Sequence, residues 1–349
     1  MSPGLRRLGA RAGRKAAPLG ALALFLLLYL VYNMLHPRGF SGAVLIQNAN
    51  ESVALVFLAI AQTLPVLLGG LDLSVGAEMT LANCLASELV TGPPLQVALG
   101  MAATLLAGTA FGALNGLVVV YGRLQPIIAT LATGAIAIGL ALILRPRPGG
   151  RVDADLSWAL TNDLAELVAT WNLADPEAAW LRPVAWIPVP ILIVLVVALG
   201  VWLPFRRSLT GRTVYAIGSA EPAAVLSGLP VARARIAAFT LAGFFAACGG
   251  LCLAIQTSSG NADIAQAGTY TLNSIAAVVL GGTSLMGGVD GALGSIVGAL
   301  LVRTLSFYFR ILSVDPLLQP LIEGAVLLAA VSLGALRTLR VRNRLELFR

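Results

Sequence analysis

The chain reads as a succession of apolar runs of about twenty residues, parted by short polar or basic stretches. Runs of that length, when helical, match the hydrocarbon thickness of a bilayer. They predict about ten spans, near 19–36, 46–68, 72–90, 95–121, 125–144, 185–204, 235–257, 264–284, 289–310 and 314–335. The expected fold class is all-α, a polytopic membrane protein. The pattern falters twice. VLLGGLDLSVG (66–76) places a glycine pair and an acid where one apolar run hands over to the next. VVLGGTSLMGG (278–288) repeats the valine, leucine, glycine pair, later leucine and closing glycine at matching offsets. Broken helices are therefore expected near 69–74 and 281–286, and paired breaks of this kind point to a translocation path.

The residues at these breaks have distinct expected tasks. Gly69 and Gly70 let the first helix open, and Asp72 and Ser74 either cap the helix that restarts or touch solute. Gly281, Gly282, Thr283 and Ser284 hold the matching places in the second break. A carboxylate among so many apolar residues belongs against protein or water rather than lipid. Gln62, Glu78, Asn83, Asn115, Gln125, Thr130 and Asn273 are polar groups inside apolar runs, where they either line a lumen or glue helices together. Arg303 and Glu323 fall at similar depth in successive antiparallel spans, so a buried ion pair is expected, acting as a clamp rather than as a solute contact.

Composition narrows the function. The chain of 349 residues is 58% hydrophobic and 11% charged, with a net charge of +7 carried by short loops and tails rather than by one face. That arrangement is no nucleic-acid footprint. Cys84, Cys248 and Cys252 lie within predicted spans, and with His36 as the single histidine they make neither a standard zinc site nor a disulfide framework. No clustered nucleophile or acid–base set suggests an enzyme. Lys15 is the only lysine and stands in no G-K-[ST] phosphate loop, so nucleotide hydrolysis of that kind is not expected here.

Basic residues set the expected orientation. Arg6, Arg7, Arg11, Arg14 and Lys15 precede the first run, which is read as a retained helix. Arg206, Arg207, Arg212, Arg233 and Arg235 occupy 205–235, and Arg337, Arg340, Arg342, Arg344 and Arg349 close the chain. These segments are expected on the cytoplasmic side, with both termini. The expected division is a tail over 1–18, a transmembrane domain over 19–335 and a tail over 336–349. On the opposite side, 145–184 carries Asp153, Asp155, Asp163, Glu166, Asp175 and Glu177 with Trp158, Trp171 and Trp180, which either anchor the interface or dock a partner. Within 205–235, Ser219 is expected as the N-cap of a short helix, Glu221 and Pro222 as its first turn and Gly228 as its end. Ala223, Ala224 and Leu226 then offer a small apolar surface, either a docking site or an ordinary interfacial turn.

Four ordered stretches carry a resemblance: GGLDLSVGAEMTLA (69–82), GRLQPIIATLATGAIAIGLALIL (122–144), GRTVYAIGSAEPAAVLSGLPVARAR (211–235) and LNSIAAVVLGGTSLMGGVDGALGSIVGALL (272–301). Together they closely resemble the permease subunits of bacterial ABC importers for sugars of the ribose, xylose, arabinose and galactoside type. The resemblance implies a multi-pass inner-membrane protein that forms the path for a sugar or sugar-like solute. It implies three partners: a second permease subunit (identical or a paralogue), a cytoplasmic ATP-binding subunit that holds ATP-Mg, and a periplasmic solute-binding protein. Lipid surrounds the chain, no cofactor belongs to it, and nucleic acid is no partner. On this resemblance Ser219, Glu221, Ala223, Ala224, Leu226 and Gly228 form the helix that couples to the ATPase. Departures occur at Thr271 and Asn273, where relatives often carry acids, and at Glu78 and Glu323, where they often carry apolar and basic or polar residues. The alternatives are an ABC permease for nucleosides or branched-chain amino acids, and an ion-coupled secondary transporter.

Overall fold

The computed structural model describes residues 3–175, 178–289, 291–315, 318–319, 321–325, 328–329 and 332, with side chains from residue 18 onward. Ten of the 22 residues of the expected span 314–335, the tail 336–349 and Glu177 lie outside the described residues.

Every regular element among the described residues is helical. The order is α1 (Pro3–Leu35), α2 (Gly42–Leu67), α3 (Val75–Leu89), α4 (Pro94–Tyr121), α5 (Pro126–Leu144), α6 (Ala154–Thr161), α7 (Leu164–Thr170), α8 (Val189–Val197), α9 (Leu203–Arg207), α10 (Leu209–Leu226), α11 (Val231–Thr257), α12 (Ile264–Leu280) and α13 (Ala292–Ile311). A π turn over Ala198–Trp202 joins α8 to α9, so Val189–Arg207 forms one continuous run. Seven helices among the described residues are long and apolar enough to cross a membrane: Pro18–Leu35, α2, α4, α5, Val189–Arg207, α11 and α13. The other expected spans that are described appear as the shorter α3, of 15 residues, and α12, of 17.

The bundle has an inside and an outside. α2 and α11 form its centre, with 67% and 61% of their apolar windows buried, against 17% for Pro18–Leu35. Phe57, Leu58, Ile60 and Phe245 are wholly buried there, whereas Leu106 on α4 and Ile143 on α5 stand 68% and 79% exposed. Outward aliphatic faces of this kind suit a lipid solvent, which satisfies no backbone polar group and so favours helices. Because lipid gives no hydrophobic drive between helices, close backbone approach has to supply the packing. Gly108, Gly112 and Gly116 recur every four residues on α4 and meet α11. A Cβ at Gly112 would stand 2.3 Å from the Phe239 carbonyl oxygen, and one at Gly243 would stand 2.3 Å from the Gly108 carbonyl oxygen.

Two ends are distinguishable. At one, the segment 145–184 folds as α6 and α7, whose N-caps Asp153 and Asp163 accept from Leu156 N and Glu166 N. Trp158 donates to Glu166 there at 3.0 Å, and Trp158, Trp171 and Trp180 remain 55%, 43% and 64% exposed. This is the loop end. At the other, the basic end, lie Arg206, Arg207 and α10.

Candidate functional site

The first break begins where α2 has already crossed. Its 26 residues cover about 39 Å. Gly69 then takes a left-handed backbone (φ +80°) that only glycine adopts freely. The break therefore starts at the basic end, and residues 70–74 lead inward to α3. The free N–H groups of this segment are satisfied from three directions. Leu73 N donates to Thr130 Oγ1 of α5 at 2.9 Å, Ser74 N to Asp72 Oδ1 at 2.8 Å and Gly76 N to Thr271 Oγ1 of α12 at 3.1 Å. Asp72 thus receives the N–H of Ser74, one residue ahead of α3. Ser74 makes no side-chain cap: its backbone is right-handed (φ −92°, ψ −12°), its oxygen accepts from Asn115 and its proton goes to Asp72 Oδ1 at 2.5 Å.

Around this turn stands a fully enclosed polar cluster. Asn115 Nδ2 of α4 donates to Ser74 Oγ at 2.8 Å and to Glu78 Oε1 at 2.7 Å. In the amide orientation that satisfies both atoms, Gln62 donates to the Asp72 carbonyl at 2.8 Å and accepts from Asp72 N at 3.2 Å. Gln62, Asp72, Ser74, Glu78, Asn115 and Thr130 are all at most 1% exposed. Their bonds run from helix to helix, so the lumen reading gives way to the glue reading for Gln62, Glu78, Asn115 and Thr130. Asn83 likewise holds the turn after α11, donating to Ser259 O and accepting from Asn261 N. Gln125 is exposed at the N-cap of α5.

The second break closes α12 in a different way. Gly281 keeps a right-handed backbone and Gly282 turns left-handed (φ +90°), so the repeated glycine pair uses its first member in one copy and its second in the other. Thr283 is buried with its hydroxyl unbonded, and Ser284 Oγ accepts from Met286 N at 3.2 Å. The two breaks touch: Gly288 N donates to the Leu67 carbonyl at 3.0 Å. Gly218 of α10 closes the same contact, since a Cβ there would stand 2.0 Å from Leu67 O and 2.4 Å from Gly288 N. Three backbone segments, far apart in sequence, meet at the basic end.

Just beyond Gly218 the helix α10 kinks. Ala220 leaves helical geometry (φ −165°, ψ 93°), because a proline at 222 cannot continue a helix through the carbonyl four residues back. Ser219 is consequently not an N-cap; its hydroxyl donates back to Tyr215 O at 2.9 Å. Glu221 meets Arg235 of α11 at 2.6 Å. Gly228 (φ +70°) ends the segment, with Leu229 N donating to Ala224 O. Ala224 faces the bundle at 3% exposure, so it is not part of an outer surface as expected, whereas Ala223 is exposed and Leu226 stands 89% exposed. A crevice of about 420 Å³ runs beneath, bounded by Gly69, Gly70, Arg123, Pro126, Glu221 and Arg235.

At the loop end, α12 and α13 border a larger polar cavity of about 760 Å³. Arg303 and Glu323 both line it, yet they form no ion pair within 4 Å. Arg303 instead donates to Tyr270 Oη at 2.9 Å, and Glu323 accepts from Asn273 Nδ2 and Ser306 Oγ, each at 3.1 Å. The expected clamp is thus replaced by two separately bonded charges: a neutral acceptor on α12 meets Arg303, and neutral donors on α12 and α13 meet Glu323. Of the residues singled out for a lumen, Asn273 lines this cavity.

Over residues 44–331 the chain matches the family described as "Branched-chain amino acid transport system / permease component". It belongs to that permease family. The permease is 32% identical over 310 residues to the Ribose import permease protein RbsC of Haemophilus influenzae, covering 89% of this chain and 90% of that protein. It is 33% identical over 316 residues to the Ribose import permease protein RbsC of Bacillus subtilis, with coverages of 89% and 90%. To the L-arabinose ABC transporter permease protein AraH of Azospirillum brasilense it is 31% identical over 317 residues, covering 89% and 86%. No solved structure gives a significant match.

Some of the permease's site residues carry no sequence signal. Arg235 as the partner of Glu221, and Tyr270 and Ser306 as partners of the buried charges, follow only from how helices meet. Gly218 marks itself as a helix punctuation, but nothing in its spacing announces contact with both breaks. The glycines on α4, four residues apart, are a readable signal for a close helix seam.

Proposed function

We propose that this permease forms the translocation path of an ABC importer for a small sugar, driven by a separate ATPase chain. The names of its relatives, ribose and arabinose permeases among them, support the substrate class. The basic residues at 205–235 support placing the basic end, with both termini, at the cytoplasm of a bacterial inner membrane. ATP-Mg then belongs to the partner chain, a second permease subunit completes the path, and a periplasmic solute-binding protein delivers sugar to the loop end, onto α6, α7 and their exposed tryptophans. Residues 221–226 serve as the coupling helix. Residues 19–335 act as one permease domain between two cytoplasmic tails.

One observation carries the coupling reading. Leu226 is 89% exposed at the tip of α10, while Gly218, on the other side of the Ala220 kink, is wedged between the two breaks. A push on the exposed end is thereby delivered to Leu67 and Gly288 through backbone contact. Glu221 is a poor probe of docking because it also holds Arg235. Leu226→Asp, with Ala223→Trp, alters only the outer face. In proteoliposomes bearing the whole importer, the pair is expected to abolish solute-stimulated ATP hydrolysis while the permease still inserts and folds. Stimulation at the parent level would remove residues 221–226 from coupling.

A further inference from the structure

The polar cavity between α12 and α13 is walled deep inside by Tyr270, Asn273, Arg303, Ser306 and Glu323, with Gln266 and Thr269 nearer its mouth. Arg303 lies eight residues before the end of α13, so the cavity reaches about 12 Å inward from the loop end. Its volume falls in the range of small-molecule sites. A membrane protein keeps ionisable groups at such depth only where they face water, a partner or a ligand. Here the charges are not spent on each other. The Arg303 Nε–H is buried and has no acceptor among the described residues, and it belongs to a side chain that lines the cavity.

The wall chemistry selects a ligand class. Arg310 is held by Glu51, and in the deep part of the wall Arg303 and Glu323 bring one charge of each sign, so that part holds no excess charge for an anion or a cation. The Glu323 carboxylate is already steadied by two neutral donors and keeps lone pairs to accept more hydroxyl bonds. Beside it stand guanidinium, amide and hydroxyl donors. Alternating donors and acceptors on a charge-balanced wall fit the hydroxyls of a neutral polyol, each of which both donates and accepts. A branched-chain amino acid would need an apolar pocket, and among the described residues Leu55, Phe309 and Val314 are the only aliphatic or phenyl side chains on the wall.

We infer that this cavity is a solute vestibule in which Asn273, Arg303 and Glu323 hold a neutral monosaccharide-sized polyol between its arrival at the loop end and its passage inward. The inference rests on the sugar-importer reading and adds a contact site to it. The site binds weakly by design, since a conduit that bound tightly would release slowly.

The test uses the complete importer in proteoliposomes, with radiolabelled D-ribose and L-arabinose as probes and L-leucine as the comparison. Asn273→Leu and Arg303→Met each remove polar contacts and are expected to lower sugar uptake about tenfold or more, with Glu323→Gln losing less. Because these variants touch buried groups, a second measurement leaves the wall intact. Thr269→Cys at the mouth is labelled with a hydrophilic maleimide, and millimolar ribose or arabinose is expected to slow the labelling while leucine does not. Parent-level uptake by Asn273→Leu and Arg303→Met overturns the vestibule alone. Protection of Thr269→Cys by leucine and not by sugar overturns it as well. A parent importer that moves neither sugar overturns the underlying reading, and the vestibule with it.

Discussion

At Asp72 a single carboxylate oxygen receives both the backbone N–H and the hydroxyl of Ser74, inside a cluster closed to solvent. Removing that side chain strands the buried Ser74 N–H, since the hydroxyl can turn to Glu78 Oε1 at 3.1 Å, at a cost of about 1–3 kcal/mol. Asp72→Ala is therefore expected to lower the melting temperature of the detergent-solubilised permease, with Asp72→Asn, which keeps an acceptor, lying nearer the parent. A melting curve for Asp72→Ala that overlays the parent would contradict the bracing role. Gly218 poses a different question. Any side chain there meets backbone at 2.0 Å, which cannot yield as a flexible side chain would. Gly218→Val is expected to push α10 off the two breaks and to uncouple ATP hydrolysis from uptake. Normal coupling in a folded Gly218→Val protein would show that the contact is dispensable. The acid itself was legible in the sequence as an acceptor at the break, because an interrupted apolar run leaves N–H groups that something must accept. The involvement of Thr130 and Thr271 was not, since their hydroxyls reach the break from other helices.

Among the described elements, α4 and α11 make a close seam, and its glycines explain why. Gly112→Leu is expected to force the helices apart and destabilise the bundle by about 1–3 kcal/mol, read as a lower melting temperature. No change would mean that the seam can open without loss. The helix α10 shows where local rules succeed and where they stop. Pro222 is expected in a first turn and Gly228 at an end, and a helical segment does run from just after Ala220 up to the turn at Gly228. The run before the kink, however, is also helical, so Ser219 closes that first segment and bonds backward rather than capping forward. Sequence gives the start and end of the second segment; whether the preceding residues are coil or helix depends on packing against α11.

For the whole molecule, the apolar runs made a polytopic helical bundle legible, because lipid leaves the backbone few alternatives. Depth was harder to read. The glycine pairs interrupt the sequence between spans, but α2 is long enough to finish its crossing first, so both breaks gather at the basic end rather than halfway across. The separation of Arg303 from Glu323 has the same origin: equal depth in two helices does not fix which neighbours face them. The account that results has a loop-end cavity, a sealed polar brace and a basic-end joint linking α10 to both breaks. Its central claim is that movement of α10 by an ATPase drives transport. The most direct measurement is solute uptake into proteoliposomes holding the permease with and without the ATP-binding subunit, under imposed proton and sodium gradients. The account expects uptake only with that subunit and ATP, indifferent to either gradient. Uptake by the permease alone, following an ion gradient, would contradict it.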